Sequence, residues 1–202
     1  MRLPRRRGSS GPTTPADWLV VGLGNPGRRY EGTRHNIGFE VARTLARRWD
    51  LGRPATRYQG ELSEGRAGLG GPRVALLLPQ TYMNEAGRSA GPARGAYKVG
   101  LDRVLVLHDE IDLRFGQVRT RVGGGLAGHN GLKSLRAHLG DPGFARVRIG
   151  VGRPDSTDPE TVAGYVLRTF DEPRDEVAAL IDRAADAAEG MVAGEGTRSA
   201  PG

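Results

Sequence analysis

The 202 residues predict an α/β fold in which a mixed β-sheet lies between layers of helix. Three observations carry the prediction. Apolar runs of strand length alternate along the chain with stretches of helical period. A hydrophobic content of 37% in a chain of this length suffices for one buried core. No internal repeat divides the sequence, so one domain is expected over residues 17–192.

The elements follow in order. Residues 1–16 carry four arginines, no acid and no apolar periodicity, and read as a disordered basic tail. Trp18 to Leu23 is a short apolar run that breaks into glycine and proline, as a buried strand does where it meets a loop at the sheet edge. Ile37, Val41, Leu45 and Trp49 recur every four residues and predict an amphipathic helix over about 36–49. Val74 to Leu78 and Val104 to Leu107 are further strands inside the sheet. The segments near 57–68, 116–122 and 145–151 alternate only partly and suit strands on or near its edges. Leu132, Leu135 and Leu139 mark a short helix, and Val177 to Met191 a longer one. Over 85–98 the helical pattern is interrupted by Gly91-Pro92 and Gly95. Residues 193–202 read as a flexible C-terminal tail.

Composition removes several kinds of chemistry. There is no cysteine, hence no disulfide framework, thiolate metal site or cysteine nucleophile. No apolar run approaches the length of a membrane span, and the basic N-terminus lacks the apolar core of a secretory signal, so a soluble, cytoplasmic protein is expected. The net charge of +7 is unevenly placed. Residues 18–154 hold 22 basic and 11 acidic side chains, whereas 155–192 hold 3 and 10. Such asymmetry suits a polyanion approaching one face, although a solvated arginine-rich surface gives the same count.

Gly22-Leu23-Gly24-Asn25-Pro26-Gly27 matches the dinucleotide-binding spacing, but the next helix begins only near residue 36 and Asp50 follows that helix directly, which argues against a nucleotide cofactor. Thr33-Arg34-His35-Asn36 places His35 on a loop, with Asn36 where a helix cap belongs. His108-Asp109-Glu110 ends another strand and offers a carboxylate to hold and polarise His35. Spacing alone leaves open which of Asp109, Glu110 and Asp112 faces inward. Asn84 follows a strand and Asn130 precedes a helix, so with Asn25 three uncharged amides sit on loops, suited to gripping a peptide or ester carbonyl rather than a metal. The run Gly123-Gly124-Gly125 could be a phosphate cradle or a mobile lid. No serine elbow or metal-binding histidine pair occurs, and the four histidines show no recognised metal spacing. Base-activated water is the simple chemistry that remains.

Gly22 to Gly27, Thr33 to Asn36, Thr81-Tyr82-Met83-Asn84, His108 to Glu110 and Gly128-His129-Asn130-Gly131 together closely resemble the bacterial peptidyl-tRNA hydrolases, in register from about residue 18 to 192. The resemblance implies a single domain with a twisted mixed sheet surrounded by helices, acting as a monomer without metal or organic cofactor on tRNA that carries a peptide or an N-blocked amino acid. It casts His35 as the catalytic base, Asp109 as the acid that keeps it basic, and Asn25, Asn84 and Asn130 as the amides that hold peptide and ester. It places Tyr30, Tyr82, Met83 and His129 along the same cleft. Arg119 and Arg148 correspond to a clamp for the tRNA 5′-phosphate, with Arg121 and Lys133 as neighbours and the arginines at 28, 29, 34 and 136 in reserve. Arginine at 119 stands where lysine is frequent in the family, preserving the charge. A non-catalytic RNA-binding protein of the same fold is the alternative; it would keep the basic face but lose the histidine or the amides, all of which are present.

Overall fold

The computed structural model describes residues 14–194. Its centre is one seven-stranded sheet in the order β2-β3-β4-β1-β5-β7-β6. β1 (Trp18–Gly22), β4 (Arg73–Pro79), β5 (Val104–Glu110) and β7 (Ala145–Gly150) run parallel, so their carboxyl ends lie along one edge. β2 (Ala55–Arg57) and β3 (Gly60–Arg66) extend one side antiparallel, and β6 (Val118–Val122) closes the other.

Period-two alternation sorts the strand residues into two cores. Val20, Leu76, Leu105, Leu107, Val147 and Ile149 face α1 (Ile37–Arg48) and α5 (Arg174–Ala193). Leu19, Val21, Leu77, Val104 and Val106 face α2 (Ala86–Tyr97) and α3 (Asn130–Leu139). A β-sheet between two helical layers is the predicted architecture. Parallel strands covered on both faces lose the polar positions of a half-exposed sheet, which explains why β1, β4 and β5 read as unbroken apolar runs.

Several expectations are corrected. The stretch 57–68 is no single strand: Tyr58 and Gln59 both adopt left-handed backbone (φ 52° and 54°) and fold it into the β2–β3 hairpin. α2 continues through Gly91-Pro92, although Pro92 forfeits one helical hydrogen bond. α4 (Pro159–Val166) was not anticipated, yet it carries a readable start signal. Asp158 accepts from the Thr161 N–H at 2.7 Å and Pro159 occupies the first turn. The tails proposed at 1–16 and 193–202 fall mainly outside the described residues. Those described are attached: Ala16 N–H donates to the Tyr97 carbonyl, Arg73 reaches the Pro15 carbonyl, and Ala193 is the last residue of α5. Among the described residues no helix is long and apolar enough to cross a membrane.

Candidate active site

The carboxyl ends of β1, β4 and β5, with the amino end of α3, surround a cavity of about 580 Å³. Its lining includes Asn25, His35, Tyr82, Met83, Asn84, Asp109, His129 and Asn130, so all five sequence motifs converge, three through β-strand ends and two through helix starts. α4 forms the facing wall with Val162, Ala163, Val166 and Leu167.

His35 sits in a single 3-10 turn just before α1. The turn reaches β5 because Gly38, in the first turn of α1, is pressed against the strand ends: a Cβ there would stand 2.4 Å from the Leu107 carbonyl oxygen and 2.5 Å from that of Leu23. His35 Nδ1 lies 2.9 and 3.0 Å from the two Asp109 carboxylate oxygens and donates to them, which leaves Nε2 unprotonated and free to take a proton. Of the three candidate carboxylates, therefore, Asp109 faces His35. Glu110 turns to Arg148 at 3.0 Å, and the exposed Asp112 pairs with Arg153. Successive residues of β5 point to opposite faces, which separates the first two.

Asp109 is 2% exposed and has a second histidine on it. His129 Nε2 approaches Oδ1 at 2.9 Å, while His129 Nδ1 accepts from the backbone N–H groups of Gly131 and Leu132 at 3.1 and 3.4 Å, capping α3. A nitrogen that accepts two N–H groups carries no proton, so the proton of His129 is on Nε2 and is donated to Asp109. The electrostatics agree. Burial disfavours the charged form of both His35 and Asp109, but their attraction and hydrogen bonds prevail, holding His35 above its ordinary 6.5 and Asp109 well below the usual carboxylate range. His108, wholly buried, is pushed down to about 3 and stays neutral, donating Nδ1–H to the Asp109 carbonyl.

The donor atoms of His35, Asp109 and His129 lie within 4.8 Å of one another, a spacing a metal ion could bridge. The tautomer of His129 argues otherwise. A neutral histidine that binds metal through Nε2 carries its proton on Nδ1, and here Nδ1 is committed as an acceptor. The cluster is built to hold protons.

Asn25 is 7% exposed, and its Oδ1 accepts the Met83 N–H at 2.8 Å, so its NH₂ group is the part left for the cavity. The loop that carries it is held by Asn36, whose side chain accepts the Asn25 N–H at 2.8 Å and donates to the Asn25 carbonyl at 2.9 Å. Asn36 occupies the cap position of α1 but makes no cap hydrogen bond. The sequence marked it as a cap; its partners are eleven residues away, and only the fold identifies them. Asn84 and Asn130 are exposed and line the cavity. Tyr30 is the exception among the cleft residues: it lies under the Arg29 guanidinium, 4.5 Å away, and outside the lining.

On β6 and β7, Arg119 stands opposite Arg148 and Arg121 opposite Arg146, so four guanidinium groups share one face. Arg119, Arg121 and Lys133 are exposed. Arg148 is tied to Glu110, itself part of the cavity lining, which joins this basic face to the cavity. Arg146, buried, donates to the Gly123 and Gly125 carbonyls and fastens the glycine run. Arg34, held in reserve for the RNA, is 2% exposed and faces inward.

A family model described as peptidyl-tRNA hydrolase matches residues 19–200. The chain is 51% identical over 178 residues to the peptidyl-tRNA hydrolase of Afipia carboxidovorans, covering 88% of this chain and 86% of that protein. It is 50% identical over 177 residues to that of a Mycobacterium species (strain KMS), with 87% and 90% covered. The crystal structure of peptidyl-tRNA hydrolase from Acinetobacter baumannii superposes with a TM-score of 0.78 at 38% identity over 93% of each chain. With the motifs, the fold and the cavity in agreement with these matches, the chain belongs to the peptidyl-tRNA hydrolase family, whose reaction is the hydrolysis of peptidyl-tRNA.

Proposed function

We propose that in this chain the ester between peptide and tRNA is hydrolysed with His35 as the general base. Water bound at His35 Nε2 gives up a proton as its oxygen attacks the ester carbonyl carbon. The bond to the ribose 3′-oxygen breaks, and the proton on His35 passes to that oxygen, leaving a free peptide carboxyl group and tRNA with a 3′-hydroxyl. Asp109 keeps the ring oriented and stabilises the imidazolium. Asn25, whose NH₂ group is directed to the cavity, and Asn84 and Asn130 donate to the peptide and to the oxyanion. Tyr82 and Met83 wall the same space, and Arg119, Arg121, Lys133 and Arg148 attract the tRNA phosphates. No step needs a metal or organic cofactor, and the protein is proposed to be a monomer acting in the cytoplasm, as the resemblance implies.

The observation that carries the reading is the bond from His35 Nδ1 to buried Asp109, since it leaves one unprotonated imidazole nitrogen available. The test is release of peptide from an N-blocked aminoacyl-tRNA, with and without chelator. His35→Ala is expected to lower kcat by about 10² to 10⁴ while tRNA affinity stays near wild type. Turnover close to wild type in that variant rejects the mechanism.

A further inference from the structure

The wall formed by α4 is weakly built on its own. Of its eight residues only Val166 is buried, and the segment joining it to β7, residues 151–158, is without regular structure. What fastens it lies at its carboxyl end, and the fastener is the residue next to His35. Arg34 NH1 donates to the Thr169 carbonyl at 2.6 Å, and NH2 lies 3.1 Å from both Asp171 and Glu172. Its guanidinium carbon stands 4.3 Å from the Tyr165 ring centre and 5.3 Å from that of Phe170. The Arg34 N–H donates to the Arg168 carbonyl, and Thr33 bridges Thr169. Tyr165 in turn donates its hydroxyl to the Val151 carbonyl at 2.7 Å, joining the two ends of the α4 excursion.

A buried ion pair is a poor source of stability, because loss of hydration offsets its attraction and a well-packed apolar residue often does as well. Planar stacking and forked hydrogen bonds instead specify one geometry. The geometry points to Arg34 as a positioning residue, which fixes the apolar wall of α4 at a set distance from His35 and so shapes the space for the peptide. The inference rests on the peptidyl-tRNA reading of the cavity. Arg34 touches no reacting atom, so it acts on how the peptide is held.

Two variants separate this role from a structural one: Arg34→Lys, and the double variant Asp171→Asn with Glu172→Gln, which alters the same clamp from its more exposed side. With an N-blocked aminoacyl-tRNA, both should raise KM by about 5- to 10-fold and change kcat by less than about 3-fold. Amide hydrogen exchange over 159–167 should accelerate by about 10-fold while α1 keeps its protection. The acid limb of the kcat profile and the inhibition constant of uncharged tRNA should stay at wild-type values. Faster exchange in α4 with an unchanged KM overturns the inference, as does a displaced acid limb or a parallel loss of uncharged-tRNA binding. Should Arg34→Lys fail to fold, the double variant decides by the same readouts. Wild-type protein without hydrolysis would reject the function itself, whereas active wild type with an unmoved KM in the variants rejects only the role of Arg34.

Discussion

The end of β5 and the face of β6 and β7 both carry charged side chains beside the cavity, and they are built in opposite ways. Asp109 is buried and takes hydrogen bonds from two histidines, of which His129 has its other nitrogen committed to the α3 backbone and His35 has its other nitrogen open to the cavity. Arg119 stands in solvent and donates to the neighbouring Val118 carbonyl. Proton transfer depends steeply on distance and tautomer, whereas attraction to a phosphate falls off gently and tolerates a mobile donor. The protein is ordered at the buried carboxylate and loose at the arginine face, which is the division that the proposed chemistry and the proposed docking call for.

The largest effect that would break this contrast lies at Asp109. Asp109→Asn should lower kcat by about 10² or more. Because the carboxylate is what raises His35 above 6.5, and the proposed base acts unprotonated, its loss should also move the acid limb of the rate profile to lower pH. A silent Asp109→Asn beside a damaging Glu110→Gln would mean that the wrong carboxylate is assigned. His129→Phe removes a donor to Asp109 and the cap of α3 together. It should cost about 1 kcal/mol of stability and reduce kcat more than KM, readable by thermal melting beside steady-state kinetics. A change confined to KM would return His129 to direct substrate contact.

On the docking side the two arginines should differ. Arg119→Ala and Arg148→Ala should each lower the slope of log affinity against log salt by a little under about 1. Arg148→Ala alone should also destabilise the fold, by about 1 to 3 kcal/mol, since it strips Glu110, 4% exposed, of its partner. Equal stability in both variants would show that the Glu110–Arg148 pair is not part of the ordered region. The smallest effect on stability is expected from Asn25→Asp, which keeps an oxygen for the Met83 N–H but replaces the NH₂ group offered to the cavity. The ratio of activity on blocked and free aminoacyl-tRNA should change while the melting temperature stays near wild type.

Much of this was legible in the sequence wherever a residue's task follows from its place at the end of an element. His35, Asp109 and the three asparagines stand at strand ends or helix starts, and parallel strands bring such positions to one edge. Residues whose task depends on distant partners were not legible. Arg34 reads as another arginine until Asp171 and Glu172, 137 and 138 positions away, are brought to it. The resemblance puts His129 along the cleft, but which of its nitrogens holds the proton is set by the backbone of α3. α4 escaped notice because its apolar residues face a cavity and make no periodic core stripe.

Gly38 has a bearing on transplanting this chemistry. The histidine-bearing turn is short, and its reach to Asp109 depends on α1 lying almost in contact with the carbonyls of Leu23 and Leu107. Grafting residues 33–36 onto another scaffold would therefore carry the reactive group without its clearance. The portable unit includes the glycine and the two strand ends it rests on, and an alanine at 38 would displace the imidazole while every other polar residue of the site remained in place.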